Sequence, residues 1–305
     1  MPELPEVQTV VTELNRKLSG KKIVEVSVRL PKIVALGPGT LPPKRRAQVH
    51  KVIKFIKLLK GQKIKSVTRR AKIIIIDFYG PLSLLVHLKM TGQFIYFRKS
   101  QLQKRVRILN KPTAPLLSLP TKYTHVIFTF TDGAKLFFND TRQFGYLKLV
   151  SDAELPHVRE LQEFGPEPLA RAFSSQVFEN ILKRRPNMPI KQLLVDQSLI
   201  AGIGNIYSDE ISFRAKVRPA RRVKTLNEKE RHAVFAAIPF ILKKGIAAKG
   251  SSVGDFVRTD GSWGTMGKYH YVYMRAGQPC KICGTMIRSM KFGARTSSFC
   301  PKCQK

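Results

Sequence analysis

Lys72-Ile-Ile-Ile-Ile-Asp-Phe78 and Leu82-Ser-Leu-Leu-Val-His-Leu88 are two short runs of β-branched and apolar residues, and both read as strands. Working outward, residues 93–97, 125–130 and 135–138 are β-rich in the same way. Val24, Val26, Val28 and Leu30 alternate with polar or charged positions, which predicts a further strand. Ahead of them, Val7, Val10, Val11, Leu14 and Leu18 follow helical spacing, with Pro5 near the start and Gly20 at the close. The first half is therefore expected to be a β-sandwich or flattened barrel with a leading helix over 4–19. The basic, proline-containing stretch 98–122 reads as a long loop.

After about residue 150 the pattern changes. Residues 173–183, 190–195, 205–215 and 226–248 read as helices, and Phe164-Gly-Pro-Glu-Pro168 as the end of a linker. The Gly- and Ser-rich stretch 251–267 is expected to be mobile, and a short β ribbon should surround the last cysteines. This predicts an α+β multidomain chain. The expected domains are an N-terminal β-sandwich over 1–150, a helical domain over 151–275 and a zinc ribbon over 276–305.

Charge narrows the partner. The chain carries 55 Lys and Arg against 20 Asp and Glu, a formal net charge of +35. Between Val26 and Ile76 there are 14 basic residues and no acid, and no acid follows Asp260. Such blocks attract a polyanion through phosphate neutralisation and counterion release, although a solvated surface or an anionic membrane would also accept them. No run reaches the ~18 apolar residues of a membrane span, and the start lacks a basic-then-apolar signal. The expectation is a soluble, cytoplasmic protein with no membrane partner.

Three places carry chemistry. Cys280-x2-Cys283-x16-Cys300-x2-Cys303 pairs two knuckles whose four thiolates suit one structural Zn²⁺, with redox thiols as the bland alternative. Lys281, Arg288, Lys291, Arg295 and Lys302 make that ribbon basic. Ile200-Ala-Gly-Ile-Gly-Asn205 feeds a helix, so its backbone N–H groups form a phosphate cradle unless it is a simple turn. At the N-terminus, removal of Met1 would convert Pro2 into a secondary amine. Such a group titrates near ~8 and can attack an electrophilic sugar carbon, with Glu3 alongside as general acid. Taken alone, Pro and Glu at a helix start are also ordinary capping residues.

Met1-Pro-Glu-Leu-Pro-Glu-Val7 resembles the opening of formamidopyrimidine-DNA glycosylases. The likeness continues through Arg69-Arg-Ala-Lys72, His87-Leu-Lys-Met-Thr-Gly92, Asn139-Asp-Thr-Arg-Gln-Phe-Gly145, Phe164-Gly-Pro-Glu-Pro-Leu169, Asp196-Gln197, residues 200–210 and the cysteines, in order along nearly the whole chain. The resemblance implies an N-terminal β-sandwich, a helix-two-turns-helix domain and a zinc finger, with DNA in the basic cleft between the lobes and the damaged nucleotide flipped out. It implies a monomeric, nucleoid-associated repair enzyme acting on double-stranded DNA with oxidised bases or abasic sites. Such an enzyme removes 8-oxoguanine and formamidopyrimidines and cleaves by β,δ-elimination.

By position, Pro2 resembles the nucleophile, Glu3 the general acid, Lys72 the basic residue of β-elimination and Arg295 the zinc-finger arginine of δ-elimination. Met90, Arg142 and Phe144 resemble the triad that fills the vacated duplex. Lys191 and Asn205 match grips on the DNA backbone, and Glu6 a further acid near the sugar. His125 matches a DNA contact, but Tyr123 stands where the family's first His is usual. Gln143 replaces a second arginine, Arg184 or Arg185 serves for a basic residue ahead of Lys191, and the 98–122 loop is longer than usual. Two other classes compete. Endonuclease-VIII-like enzymes, which remove oxidised pyrimidines, open Pro-Glu-Gly-Pro-Glu where this chain has Leu4. A non-enzymatic zinc-containing DNA-binding protein would leave Pro2, Glu3 and Lys72 without a purpose.

Overall fold

The five apolar residues spaced along the first helix are all buried by α1 (Leu4–Leu18). Glu6 in its first turn and Arg16 and Lys17 in its last suit the helix dipole. Gly20, at φ +81°, stops the chain just beyond in a conformation that glycine adopts without strain. The computed structural model describes residues 1–39, 49–107, 116–292 and 295–305. The chain divides into two units. One comprises Met1–Pro2, Glu6–Gln162 and Lys249–Thr265; the other comprises Glu3–Pro5, Glu163–Ala248 and Met266–Lys305.

The first unit holds β1 (Ile23–Val28), β2 (Val34–Leu36), α2 (Val49–Leu59), β3 (Ile64–Arg70), β4 (Ile73–Phe78), β5 (Leu82–His87), β6 (Gly92–Phe97), β7 (Arg105–Val106), β8 (Leu117–Ser118), β9 (Thr124–Phe130), β10 (Lys135–Asp140), β11 (Tyr146–Ser151) and α3 (Arg159–Gln162). One sheet runs β1-β9-β10-β6 and the other β2-β11-β5-β4-β3. Val26 and Phe128 from the first sheet share a core with Ile74, Ile76 and Leu84 from the second, and α1 and α2 add Val10, Leu14 and Phe55. This is the expected β-sandwich with a leading helix.

Three local expectations are corrected. A bulge between Ile23 and Glu25 breaks the alternation of β1, so Ile23 and Val26 turn inward while Val24 is exposed. The 98–122 stretch is only partly a loop: β7 pairs with β8, and Val106 and Leu119 are buried with Phe97 and Phe137. Residues 108–115 of that stretch lie outside the described residues. The 251–267 stretch is pinned. Ser251 N–H donates to Glu6 (2.7 Å) and Thr259 N–H to Glu13 (3.1 Å). Gln93 donates to the Asp255 carbonyl (2.8 Å), and Phe256 and Val257 are buried.

In the second unit α4 (Ser175–Arg184), α5 (Ile190–Val195), α6 (Asn205–Arg214) and α7 (Glu228–Ala247) surround a core of Phe178, Leu193, Tyr207, Ile211, Ile238 and Leu242, joined by Leu4. Ser174 caps α4 and an Asn227–Glu230 capping box opens α7, so each helix starts two residues later than its apolar pattern. The chain ends in the ribbon β12 (Arg288–Phe292) and β13 (Arg295–Phe299), paired antiparallel. No helix among the described residues is long and apolar enough to cross a membrane.

Candidate active site and metal centre

A helix start leaves backbone N–H groups without intrahelical partners and a positive dipole end, and an anion is the natural occupant. At the start of α6 that occupant is Glu3. Its carboxylate accepts N–H bonds from Gly204 (2.8 Å), Ile206 (2.8 Å) and Tyr207 (3.3 Å), and the residue is 3% exposed. A Cβ on Gly204 would lie 2.4 Å from the Glu3 carboxyl carbon, so only glycine fits there. Leu4 N–H donates to the Gly202 carbonyl (3.0 Å) and fixes the segment alongside. The glycine turn read as a phosphate cradle is thus a carboxylate cradle filled from within the chain. Pro2, buried, immediately precedes this fixed residue.

In the first unit, Lys72 is the second residue of the two-residue loop that joins β3 to β4. Primed hairpin turns of this length need a positive φ at their first position, and Ala71 has φ +51°. Lys72 is nevertheless buried. Nearby, His87 accepts the Lys89 N–H on Nδ1 (3.0 Å), and burial, with the Lys89 and Lys72 charges, pulls its pKa down to about 3. The imidazole is therefore neutral at physiological pH. Met90 (38% exposed) and Phe144 (47%) stand out on two neighbouring turns, and the Arg142 guanidinium lies 4.7 Å from the Phe144 ring centre.

Several of the residues matched to DNA contacts have partners within the chain. Lys191, 1% exposed, is ion-paired with buried Asp209, which also accepts from the Ser297 hydroxyl (2.5 Å) and Ser298 N–H (3.0 Å). Burial lowers the Lys191 pKa and raises that of Asp209, and each charge offsets the other's desolvation. Lys191 thus ties α5 to α6 and the ribbon. His125 is buried, its Nε2–H donating to the Asp140 carbonyl (2.7 Å), and burial lowers its pKa. Tyr123 is partly buried on the β7–β8 side. Asn205 donates its side-chain amide to the Thr296 carbonyl (3.0 Å). Glu6 takes the Ser251 N–H described above. Arg184, Arg185 and Arg295 remain exposed. The sequence reading missed Asp209 and Glu210, two acids on a helix buried from Ile206 to Phe213. Glu210 accepts N–H bonds from Tyr271, Val272 and Tyr273, each at 3.0 Å. An acidic pair inside an apolar run was the signal available.

The four cysteine sulfurs lie within 4.8 Å of one another, with Cys283–Cys300 at 3.5 Å and Cys280–Cys303 at 3.9 Å. A tetrahedron with Zn–S bonds of ~2.3 Å has edges of about 3.8 Å, so the set fits one Zn²⁺. Ile282 and Cys303 N–H groups donate to the Cys280 and Cys300 sulfurs, as knuckle geometry requires.

Residues 1–147 match the formamidopyrimidine-DNA glycosylase N-terminal domain, residues 164–257 its H2TH domain, and residues 277–305 the zinc finger found in FPG and IleRS. A formamidopyrimidine-DNA glycosylase of Pelotomaculum thermopropionicum is 37% identical over all of this chain and 99% of its own length. The chain belongs to the formamidopyrimidine-DNA glycosylase family. One of Listeria innocua is 36% identical with full coverage of both. A solved Lactococcus lactis Fpg, in complex with DNA containing an abasic site, superposes with a TM-score of 0.81 at 30% identity over 99% of both chains. The coarse function is thereby that of a DNA glycosylase of base excision repair, and the cysteine cluster is the zinc finger of that family.

Proposed function

We propose that this glycosylase excises oxidised purines, 8-oxoguanine and formamidopyrimidines, from duplex DNA and then cuts the strand by β,δ-elimination through a Schiff base on Pro2. The observation that carries the reading is the Glu3 carboxylate, held by three N–H groups beside the one residue whose exposed nitrogen would be a secondary amine. Once Met1 is removed, the Pro2 nitrogen attacks C1′ and the damaged base leaves. The proton shed by nitrogen passes to Glu3, which as general acid delivers it to the departing base; the sugar ring then opens to the iminium, its oxygen taking a proton from solvent. Lys72 abstracts the proton for β-elimination, and Arg295 on the ribbon holds the phosphate for δ-elimination. Met90, Arg142 and Phe144 fill the space left by the flipped nucleotide. The enzyme acts as a monomer in the cytoplasm, drawn to the nucleoid by its net charge of +35.

Lactococcus lactis relatives were captured with DNA containing Fapy-dG and, in another complex, an oxidised pyrimidine, so lesion class is a real alternative. Leu4 favours the purine branch on sequence, since the pyrimidine branch opens with glycine at that position. Duplexes carrying single defined lesions separate the two. Purine lesions should be cut first, leaving phosphate on both ends of the gap. Pyrimidine lesions cut faster would overturn the lesion class, and excised base with intact strands would overturn the lyase half.

Glu3→Gln should lower excision of an intact lesion on the order of 10²–10⁴-fold, the usual worth of general acid catalysis. Cleavage at a preformed abasic site should fall much less. The substitution also turns an NH₂ toward backbone N–H donors, so its thermal transition must be measured in parallel. Equal loss on both substrates at unchanged stability would remove Glu3 from proton transfer.

A further inference from the structure

We infer that Asp140 is a positioning residue that locks the turn carrying Met90 to the turn carrying Arg142 and Phe144, so that the three side chains enter the duplex as one rigid unit. The inference rests on the wedge role proposed above for those three residues. Asp140 ends β10 opposite Gly92 and is fully buried. Its Oδ1 accepts from the Thr91 hydroxyl and from the Arg142 N–H (3.2 Å), and its Oδ2 from the Gly145 N–H (2.7 Å). One carboxylate therefore brackets the 142–145 segment at both ends and ties it to the neighbouring turn. The Arg142 N–H also reaches Thr91 Oγ1 (3.1 Å), which closes the link a second time.

The backbone around this node is strained in two places. Lys89, beside Met90, has φ +51°, and Gln143, between Arg142 and Phe144, has φ +57°. Non-glycine residues stay in that region only where the surroundings over-determine them. The surroundings do so here. A Cβ on Gly92 would lie 2.4 Å from the Leu88 carbonyl oxygen, and one on Gly145 2.8 Å from the Phe138 ring and 3.0 Å from Asp140 Oδ2. Both turns are closed around the carboxylate with no slack. Three donors converge on two oxygens, and only an ionised carboxylate accepts from all of them; an amide would turn NH₂ toward an N–H or a hydroxyl. The ladder of β10 with β6 and the Phe94–Phe138 contact hold the sheet without this carboxylate. What it adds is order at the tips. A wedge that must be ordered as it inserts loses that conformational entropy from its binding.

The test measures kcat/KM on two substrates. One is a duplex with a single 8-oxoguanine, where a wedge is needed. The other is a single-stranded oligonucleotide with a preformed abasic site, where no partner strand leaves a gap to fill. Asp140→Asn should lose about 10- to 100-fold on the duplex, the worth of a charge-assisted hydrogen bond, and less than roughly 3-fold on the single strand. Thr91→Val should lose less in the same direction, and Thr91→Ser should recover the loss by restoring the hydroxyl. Met90→Ala serves as the benchmark for the wedge itself. If Met90→Ala is impaired on the duplex and Asp140→Asn is not, the latch is wrong. Equal loss on both substrates also overturns it, since that is the mark of general damage to the fold. If Met90→Ala spares the duplex lesion, the wedge reading falls and takes this inference with it.

Discussion

A chain that keeps Met1 is expected to give no borohydride-trapped complex on abasic duplex DNA, and Pro2→Gly to give almost none. With Met1 attached, the Pro2 nitrogen is part of an amide whose lone pair is delocalised into the carbonyl, and it cannot attack C1′. Glycine at position 2 would still offer an amine, but a primary one. Its Schiff base is a neutral imine that must be protonated to act as an electron sink, whereas the iminium of proline is cationic at any pH. Glycine also gives up the fixed φ and the ring of a buried residue directly ahead of the Glu3 cradle. Loss of a covalent nucleophile typically costs on the order of 10³-fold or more in turnover. Intact mass measurement verifies which residue begins the chain, and trapping is scored on the same sample. Normal trapping by a Met1-bearing chain would move the Schiff base to a lysine, with Lys72 the first to examine.

Cys300→Ser is expected to hold less than one zinc per chain, to keep most of its circular dichroism, and to bind and nick lesion DNA poorly. The ribbon has a small cluster of its own, Val272, Cys280, Ile287 and Cys300 with Phe213 of α6, too little to fold without metal. The first unit contains no cysteine and a large separate core, so its thermal transition should persist. The second unit should weaken, because the ribbon is laced into it. Ser297 and Ser298 supply two of the bonds to Asp209, and Gln304 bridges the Cys300 N–H and the Val217 carbonyl. Disordering the ribbon also removes Arg288, Lys291 and Arg295, all exposed. If two of them make charge-assisted phosphate contacts, affinity falls on the order of 10²–10⁴-fold. Nicking at the normal rate by a zinc-poor sample would show that Arg295 has no part in the chemistry.

Local periodicity carried much of the fold. α1 and α5 stand where their apolar spacing puts them, and the strands around Ile73–Phe78 and Leu82–His87 were plain from composition. α2 was not, because Lys51, Lys54 and Lys57 interrupt its apolar face and read as a charge run; the helix turns them outward and buries Phe55 and Leu59. The bulge in β1 adds one residue to the pairing and shifts which side chains face the core, and no rule of alternation foresees it. At the site, the four cysteines were legible from spacing, while Pro2, Glu3 and Lys72 entered as candidates through the resemblance of their motifs. What each one touches was not. Glu3 meets Gly204 across 201 residues of sequence, and Lys191 meets Asp209 only once two helices have packed. Lys191 is buried with its counter-charge because Asp209 lies on a helix whose residues 206–213 are all buried.

The membership of the two units has a consequence for cutting the gene. Glu3–Pro5 belongs with the helical unit although α1 continues from it into the sandwich, and Lys249–Thr265 belongs with the sandwich although helical segments flank it on both sides. A fragment ending near residue 162 would leave behind the piece that Glu6 and Glu13 hold. A fragment beginning there would have an α6 N-terminus with no Glu3 to fill it. Each half carries a missing part of the other, so the chain is a poor candidate for recombination by domain exchange. Inheritance as one uninterrupted block is what its connectivity favours.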